Sequence, residues 1–347
     1  MERVEREHYA ILRFSALGDV AIAAPLIKGY ASANPHLLFT MVSKPHLKAL
    51  FEGCDNLLFL PVDFKGSYRG LVGLFKLYQN LLSARVTHIA DLQWNLRGWI
   101  LYLFSLSSKL RYGVIDKGRG DKRRATRRRG KLLKELPSTM ARYEAVLNGL
   151  GLMNINFSQS NQLNGGIEKL PYSKKNRGAP YRVGIAPFSK HRGKEWPLEK
   201  IERVVATLSA TGNFAITLFG GAQERSRLES IEKSTPTVRV LAGRLSFEEE
   251  LDEMASLDLM VAMDSANMHF ASALGVPVLS IWGATHPYLG FYGFRQHPSM
   301  ALMEPIECRP CSSYGATPCY RGDWACLENL SHHKVLNRIY QFFDLNQ

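Results

Sequence analysis

Acidic side chains are scarce in the first half of this 347-residue chain, aromatic ones vanish from its most basic stretch, and long apolar runs are missing throughout. The longest near-continuous apolar stretch, Trp99 to Leu106, is under half of the ~20 residues that a membrane-spanning helix requires. No transmembrane span is therefore expected. The opening MERVEREHYAILRF mixes acidic with basic residues and has no apolar core before the first strand, so a secretory signal is not expected and a cytoplasmic protein is. Cysteine is limited to five residues, and in a chain expected to be cytoplasmic a disulfide framework is not the favoured use of them. Between Val114 and Met140 there is no Phe, Tyr or Trp, which removes the stacking platforms a single-stranded nucleic acid would need.

What is present suits a soluble globular protein: 46% apolar and 22% charged residues. The length suits two domains rather than one core. The net charge of +13 is unevenly placed: residues 1–175 carry 27 Lys+Arg against 13 Asp+Glu, and residues 176–347 carry 17 against 18. Arg111 to Lys134 alone holds 11 basic residues and two acidic ones. Such asymmetry fits an anionic partner, either nucleic acid or a phosphorylated membrane surface; it also fits a solvated loop.

The first half alternates strand and helix signals. Strands are predicted at 9–14, 37–43, 57–62 and 87–92, with helices at about 20–33, 71–82 and 138–150 and an amphipathic one within QWNLRGWILYLF that carries Arg97. Pro25 is compatible with the first helix only in its first turn or two. Asp19, in SALGD, heads that helix. It serves either as a cap or as a carboxylate that faces the space between domains, where a helix N-terminus stabilises negative charge. Residues 159–181 lack apolar periodicity and read as a linker, with its centre at 166–180. Strand and helix signals then resume from Arg182.

The second half turns on MDSANMHFASALGVPVLSIWGATHP, Met263 to Pro287. An apolar strand ends at Met263, Asp264 and Ser265 suit a helix N-cap, Gly275 stops the helix, and Val276 to Trp282 forms the next strand. In open parallel sheets ligands bind at the carboxyl ends of strands, and a helix N-terminus there suits phosphate. The alternative is an ordinary crossover in which Asp264 only caps. Three strand-end loops, SKHRGKEWP, GGAQE and MDSANMH, should converge on one crevice.

Those loops, together with FSALGD, resemble the lipopolysaccharide heptosyltransferases of glycosyltransferase family 9, from Ile11 to about Leu330. The resemblance implies an α/β, GT-B fold of two doubly wound Rossmann-like domains facing across a cleft. Residues 1–165 would bind the acceptor, 181–330 would bind the nucleotide sugar, and a helix in 331–347 could return to the first domain. It implies inverting, metal-independent transfer from ADP-heptose to the phosphorylated lipid A–inner core, with no cofactor beyond the nucleotide sugar. Asp19 then matches the general base. Ser189, Lys194, Glu224, Asp264, Ser265, Ala266 and His269 match donor-side positions, with Lys194 on the diphosphate and Glu224 toward the ribose. The family's usual glycine is here Ala266, whose methyl narrows the space for a diphosphate. His269 either touches phosphate or packs. Arg97, Arg123, Arg124, Arg127 and Arg128 are acceptor-side candidates, and the basic stretch would also hold the enzyme at the anionic inner face of the cytoplasmic membrane.

Cys308, Cys311, Cys319 and Cys326 form a compact C-x2-C-x7-C-x6-C set. It reads either as a structural tetrahedral zinc site or as a reduced thiol-bearing loop, and Cys54 reads as a buried small residue. Rival functions are the same family with another sugar or acceptor, a GT-B sugar-nucleotide epimerase, and a basic nucleic-acid-binding protein. The last lacks any recognised reading module, and no nucleic acid is expected.

Overall fold

The computed structural model of the protein describes residues 6–153, 155 and 178–345. Most of the expected linker, 166–177, lies outside the described residues. The chain divides into two compact units, Met1–Lys117 with Thr139–Ser160, and Gly118–Ser138 with Asn161–Gln347.

The first unit contains β1 (His8–Leu12), α1 (Leu17–Ala33), β2 (Leu38–Ser43), β3 (Leu57–Pro61), α2 (Gly70–Ser83), β4 (His88–Asp91), α3 (Leu96–Ser105) and β5 (Arg111–Val114). The chain then leaves for α4 (Arg119–Ala125), which belongs to the second unit, and returns as α5 (Thr139–Gly149). The five strands are parallel in the order β3-β2-β1-β4-β5. Central β1, HYAIL, is buried at every position, as a strand covered on both faces must be. Its Ala10 and Leu12 pack with Leu74, Leu77 and Leu81 of α2 and Leu101 of α3. The helix α1 packs instead with α5, and Tyr30 donates to Asn148 at 2.6 Å. The helix α1 begins three residues earlier than its sequence predicts, so Pro25 falls in its third turn and the helix continues through it.

The second unit contains β6 (Tyr181–Ala186), α6 (Leu198–Ala210), β7 (Phe214–Leu218), α7 (Arg225–Ser234), β8 (Arg239–Val240), α8 (Phe247–Ala255), β9 (Leu259–Met263), α9 (Ala266–Ala273), β10 (Val278–Trp282), β11 (Ala301–Met303), α10 (Ala325–Glu328) and α11 (His332–Phe343). Its six parallel strands run β11-β10-β9-β6-β7-β8. Counted from its own first strand this is 6-5-4-1-2-3, the Rossmann order, and the first sheet follows the same order less one strand. The apolar stripe of α11 (Val335, Leu336, Ile339, Phe342) joins the second unit's core and packs on α6, where the sequence reading allowed a return to the first domain.

The boundary expected at residue 165 is interrupted, because residues 118–138 pack with the second unit. Leu136 and Ala125 bury against Leu289, the Leu136 N–H donates to the Tyr288 carbonyl at 2.9 Å, and the Lys122 ammonium lies 4.1 Å from the Phe291 ring centre. This relocates charge. The first unit carries 15 Lys+Arg against 10 Asp+Glu and the second 29 against 21, so the excess is shared rather than confined to the first half.

Candidate active site

Strand order reverses between β1 and β4 in the first unit and between β6 and β9 in the second. The loops leaving the carboxyl ends of those strands flank the crevice where open α/β sheets bind ligands. Each unit places expected site residues there.

In the first unit, Asp19 lies in the first turn of α1 but caps nothing: the N-cap position is Ala16, with no side-chain bond. Its Oδ2 instead pairs with the Arg13 guanidinium at the end of β1, and Oδ1 takes no hydrogen bond among the described residues. Arg13 is buried and also donates to the Leu92 carbonyl at 2.5 Å. Burial works against its charge, but Tyr143 and Asp19 outweigh that, and its pKa is raised. Gln93, after β4, accepts from the N–H groups of Phe14 (2.8 Å) and Ser15 (3.2 Å) and donates to the Ser15 hydroxyl (2.8 Å). Gln93 is in turn placed by Asp91, buried and bonded to the N–H groups of Gln93 and Trp94. Arg13 and Gln93 were missed in the sequence. Arg13 had a signal, a lone cation at the end of an apolar strand; Gln93 had none.

In the second unit, Lys194 ends a short 3-10 turn (Arg192–Lys194) after β6, and its Nζ lies 2.9 Å from Asp264 Oδ2 after β9. The same oxygen accepts from the Thr285 hydroxyl at 2.7 Å. Asp264 is 2% exposed, so it orients Lys194 from behind rather than presenting itself to a ligand, and it is not the helix cap. The cap position of α9 is Ser265, whose hydroxyl makes no bond among the described residues, leaving the first N–H groups of α9 without a side-chain cap there. Ala266 is the first residue of that helix and His269 is buried one turn on. Ser189 is half-buried in the loop after β6. Glu224 closes the turn after β7 by accepting from the Gly221 N–H at 2.7 Å, and burial pushes its pKa up.

Three loops meet tightly around Lys194. A Cβ on Gly283 would collide with the Gly193 carbonyl, which accepts from the Ala284 N–H at 2.7 Å. Gly315, at φ +76°, packs against the Lys194 stem. Arg309, 5% exposed, ties the loops after β10 and β11 together through the carbonyls of Gly283, Thr285 (2.8 Å) and Glu304 (2.8 Å). Burial brings its pKa down to about 10. The neighbouring cysteines are free thiols, and burial pushes Cys326 up to about 11. Among the described residues no group of three or more His, Cys, Asp or Glu could hold a metal ion. What visibly staples this loop is Arg309.

The five acceptor-side arginines are not gathered on one unit. Arg97 stands on α3 of the first unit, its guanidinium 4.5 Å from the Phe64 ring centre, while Arg123, Arg124, Arg127 and Arg128 belong to the second. Arg124 pairs with Asp121 at 2.5 Å. Arg128, stacked over Tyr320, lines a cavity of about 1070 Å³ with Arg129, Lys131, His286, Arg309 and Arg321. Lys131 donates to the Cys308 carbonyl at 2.6 Å. Burial, then the cations Arg309 and Lys131, brings the His286 pKa down to about 4.

The family model of glycosyltransferase family 9 (heptosyltransferase) matches residues 74–317, well over half of the chain. The lipopolysaccharide core heptosyltransferase OpsX of Haemophilus influenzae is 24% identical over 295 residues, 80% of this chain and 79% of OpsX. Among solved structures, a family 9 glycosyltransferase from Veillonella parvula superposes with a TM-score of 0.71 at 18% identity, over 97% of each chain. The Escherichia coli heptosyltransferase WaaC with ADP does so at 0.65 and 17%, over 96% of this chain and 99% of WaaC. A sequence match of that extent, on two Rossmann-ordered sheets shared with those structures, puts the chain in glycosyltransferase family 9: it is a glycosyltransferase of the GT-B fold.

Proposed function

We propose that the protein transfers a heptose from ADP-heptose to the phosphorylated inner core of lipopolysaccharide, with inversion and without a catalytic metal. One observation carries the donor half: a lysine locked by a buried carboxylate stands beside a helix whose cap hydroxyl has no partner among the described residues. Lys194 and the uncapped N–H groups of α9 suit the diphosphate, and they would take up the charge that develops on it as the sugar leaves. Asp264 and Thr285 hold Lys194 in place, while Ser189, Ser265 and Glu224 supply polar contacts to the nucleotide. WaaC has been solved with ADP and with ADP-2-deoxy-2-fluoro heptose, and OpsX is a lipopolysaccharide core heptosyltransferase, which supports this donor and acceptor.

On the acceptor side, Asp19 Oδ1 takes the proton of the attacking hydroxyl while Arg13 fixes the carboxylate through Oδ2. The hydroxyl oxygen bonds to the anomeric carbon as the bond to the ADP oxygen breaks, so a single displacement inverts that centre. Arg128 and the cations around it suit the phosphates of a lipid-borne acceptor.

Asp19→Asn is expected to lower kcat by a factor on the order of 100 or more, the scale of a general base, with ADP affinity little changed. Lys194→Ala is expected to weaken ADP binding by calorimetry. Turnover that survives EDTA supports the metal-free step. Near wild-type turnover in Asp19→Asn rejects the base, and tighter binding of UDP or GDP than ADP rejects the donor.

A further inference from the structure

Two adjacent helices of the first unit carry an apolar face that no described residue covers. On α2 the buried positions are Gly73, Leu74, Leu77, Tyr78 and Leu81, as an amphipathic helix on a sheet requires. Its outward positions should then be polar, yet they include Leu71, Val72 and Phe75, which are 65%, 83% and 49% exposed. On α3 and its last turn the outward residues are Leu96, Trp99, Leu103 and Leu106, spaced as one helix face and 41% to 72% exposed. The two helices pack on each other, with Phe75 edge-on to Phe104 at 5.6 Å, so the seven side chains belong to one surface. Scattered exposed apolar residues are ordinary, whereas a contiguous patch marks an interaction site.

The charge around the patch names the partner. From Phe64 to Ile115 the sequence has seven Lys or Arg and a single carboxylate, Asp91, which is fully buried. The stretch is bounded by two exposed carboxylates, Asp63 and Asp116, and between them no acidic side chain reaches the surface. Lys76 and Arg97 lie over the rings of Tyr68 and Phe64, at 5.7 and 4.5 Å, with their charge at the edge of the apolar face. An apolar face with cations and no carboxylate between those two bounds matches an anionic bilayer, because apolar side chains enter the acyl boundary while Lys and Arg stay among the phosphates. No described helix is long and apolar enough to cross a membrane, so contact is made by a helix face lying on it.

We infer that the α2–α3 face docks the enzyme on an anionic lipid bilayer, with Val72 and Trp99 in the interface. The sequence reading had placed membrane contact on the basic stretch, most of which belongs to the second unit. The inference agrees with a lipid-borne acceptor but stands on these side chains alone. It is tested on lipid without acceptor. Sedimentation with vesicles of phosphatidylcholine containing phosphatidylglycerol is expected to bind the full chain. Pure phosphatidylcholine should bind it at least tenfold more weakly, and Trp99 emission should shift to the blue only with the anionic vesicles. Val72→Asp with Trp99→Ser is expected to reduce binding at least tenfold, with an unchanged melting temperature and unchanged transfer to a lipid-free acceptor fragment. Leu132→Asp, at a position on the basic stretch whose 56% exposure lies between those of Val72 and Trp99, is expected to keep binding. The double variant binding vesicles as wild type does would overturn the inference. So would a lipid-free dimer, seen in sedimentation velocity, that the double variant abolishes, since a second copy would then own the face.

Discussion

At the scale of single residues, the arrangement of Asp19 depends on the reach of one arginine. Arg13 spans from the buried Leu92 carbonyl to Oδ2 of Asp19 with two different nitrogens of one planar fork, a fixed spacing that a single ammonium nitrogen does not reproduce. Arg13→Lys is therefore expected to lower kcat by about tenfold while ADP affinity stays the same, because the carboxylate loses its fixed orientation but the donor side is untouched. Steady-state kinetics beside ADP calorimetry separates the two. Asp19 was legible in the sequence because SALGD between a strand and a helix is a local pattern. Whether it capped was not legible, since that depended on a helix start three residues away and on a partner in the preceding strand. The same holds for Asp264. Its place before a helix made it a cap candidate, but Ser265 took that position, and Lys194, seventy residues earlier, took its carboxylate.

At the scale of elements, the helices and the buried strands were readable, even β4 with its four residues, and two edge strands were not. Arg111–Val114 and Ala301–Met303 are edge strands of four and three residues, none of them buried, so they lack the buried apolar run that marked β4. The loop after β10 follows the same rule: ATHP signalled a turn, but not that His286 would be held neutral within it. Its ring nitrogen Nδ1 accepts from the Tyr288 N–H at 3.1 Å, which a protonated ring cannot do. Its folded pKa of about 4 lies below the ordinary 6.5. Between those values the unfolded chain takes up a proton that the native state refuses. Stability is complete above pH 6.5 and falls as the pH drops toward 4. His286→Asn keeps an acceptor without the titration. Its melting temperature is expected to fall less than that of the wild type between pH 7 and 4.5, measured by calorimetry in matched buffers.

At the scale of the whole molecule, the division of the chain was half legible. Two runs of alternating strand and helix signals gave two Rossmann-like units, but the basic stretch was assigned by its position in the sequence, and position misled. Nine Lys or Arg and few apolar residues between Gly118 and Ser138 read as a solvated loop of the first domain. Its few apolar side chains decide otherwise. Leu136 and Ala125 bury against Leu289, and the backbone of Leu136 bonds to that of Tyr288. This tertiary contact spans some 150 residues, and no local pattern encodes it. If those contacts hold the segment, the amides of Lys122, Thr126 and Leu136, each bonded to a carbonyl at 2.9 to 3.1 Å, should exchange slowly despite their charged neighbours. Leu136→Ala removes a buried side chain from a small cluster, a loss of about 2–3 kcal/mol at the lower end of the scale for such truncations. Hydrogen exchange is expected to speed up across 119–136 and around Tyr288 in that variant, and trypsin to cut there first. Amides of β1 and β4 in the first unit should keep their wild-type rates. Equal acceleration in both units would mean that the segment belongs to neither alone.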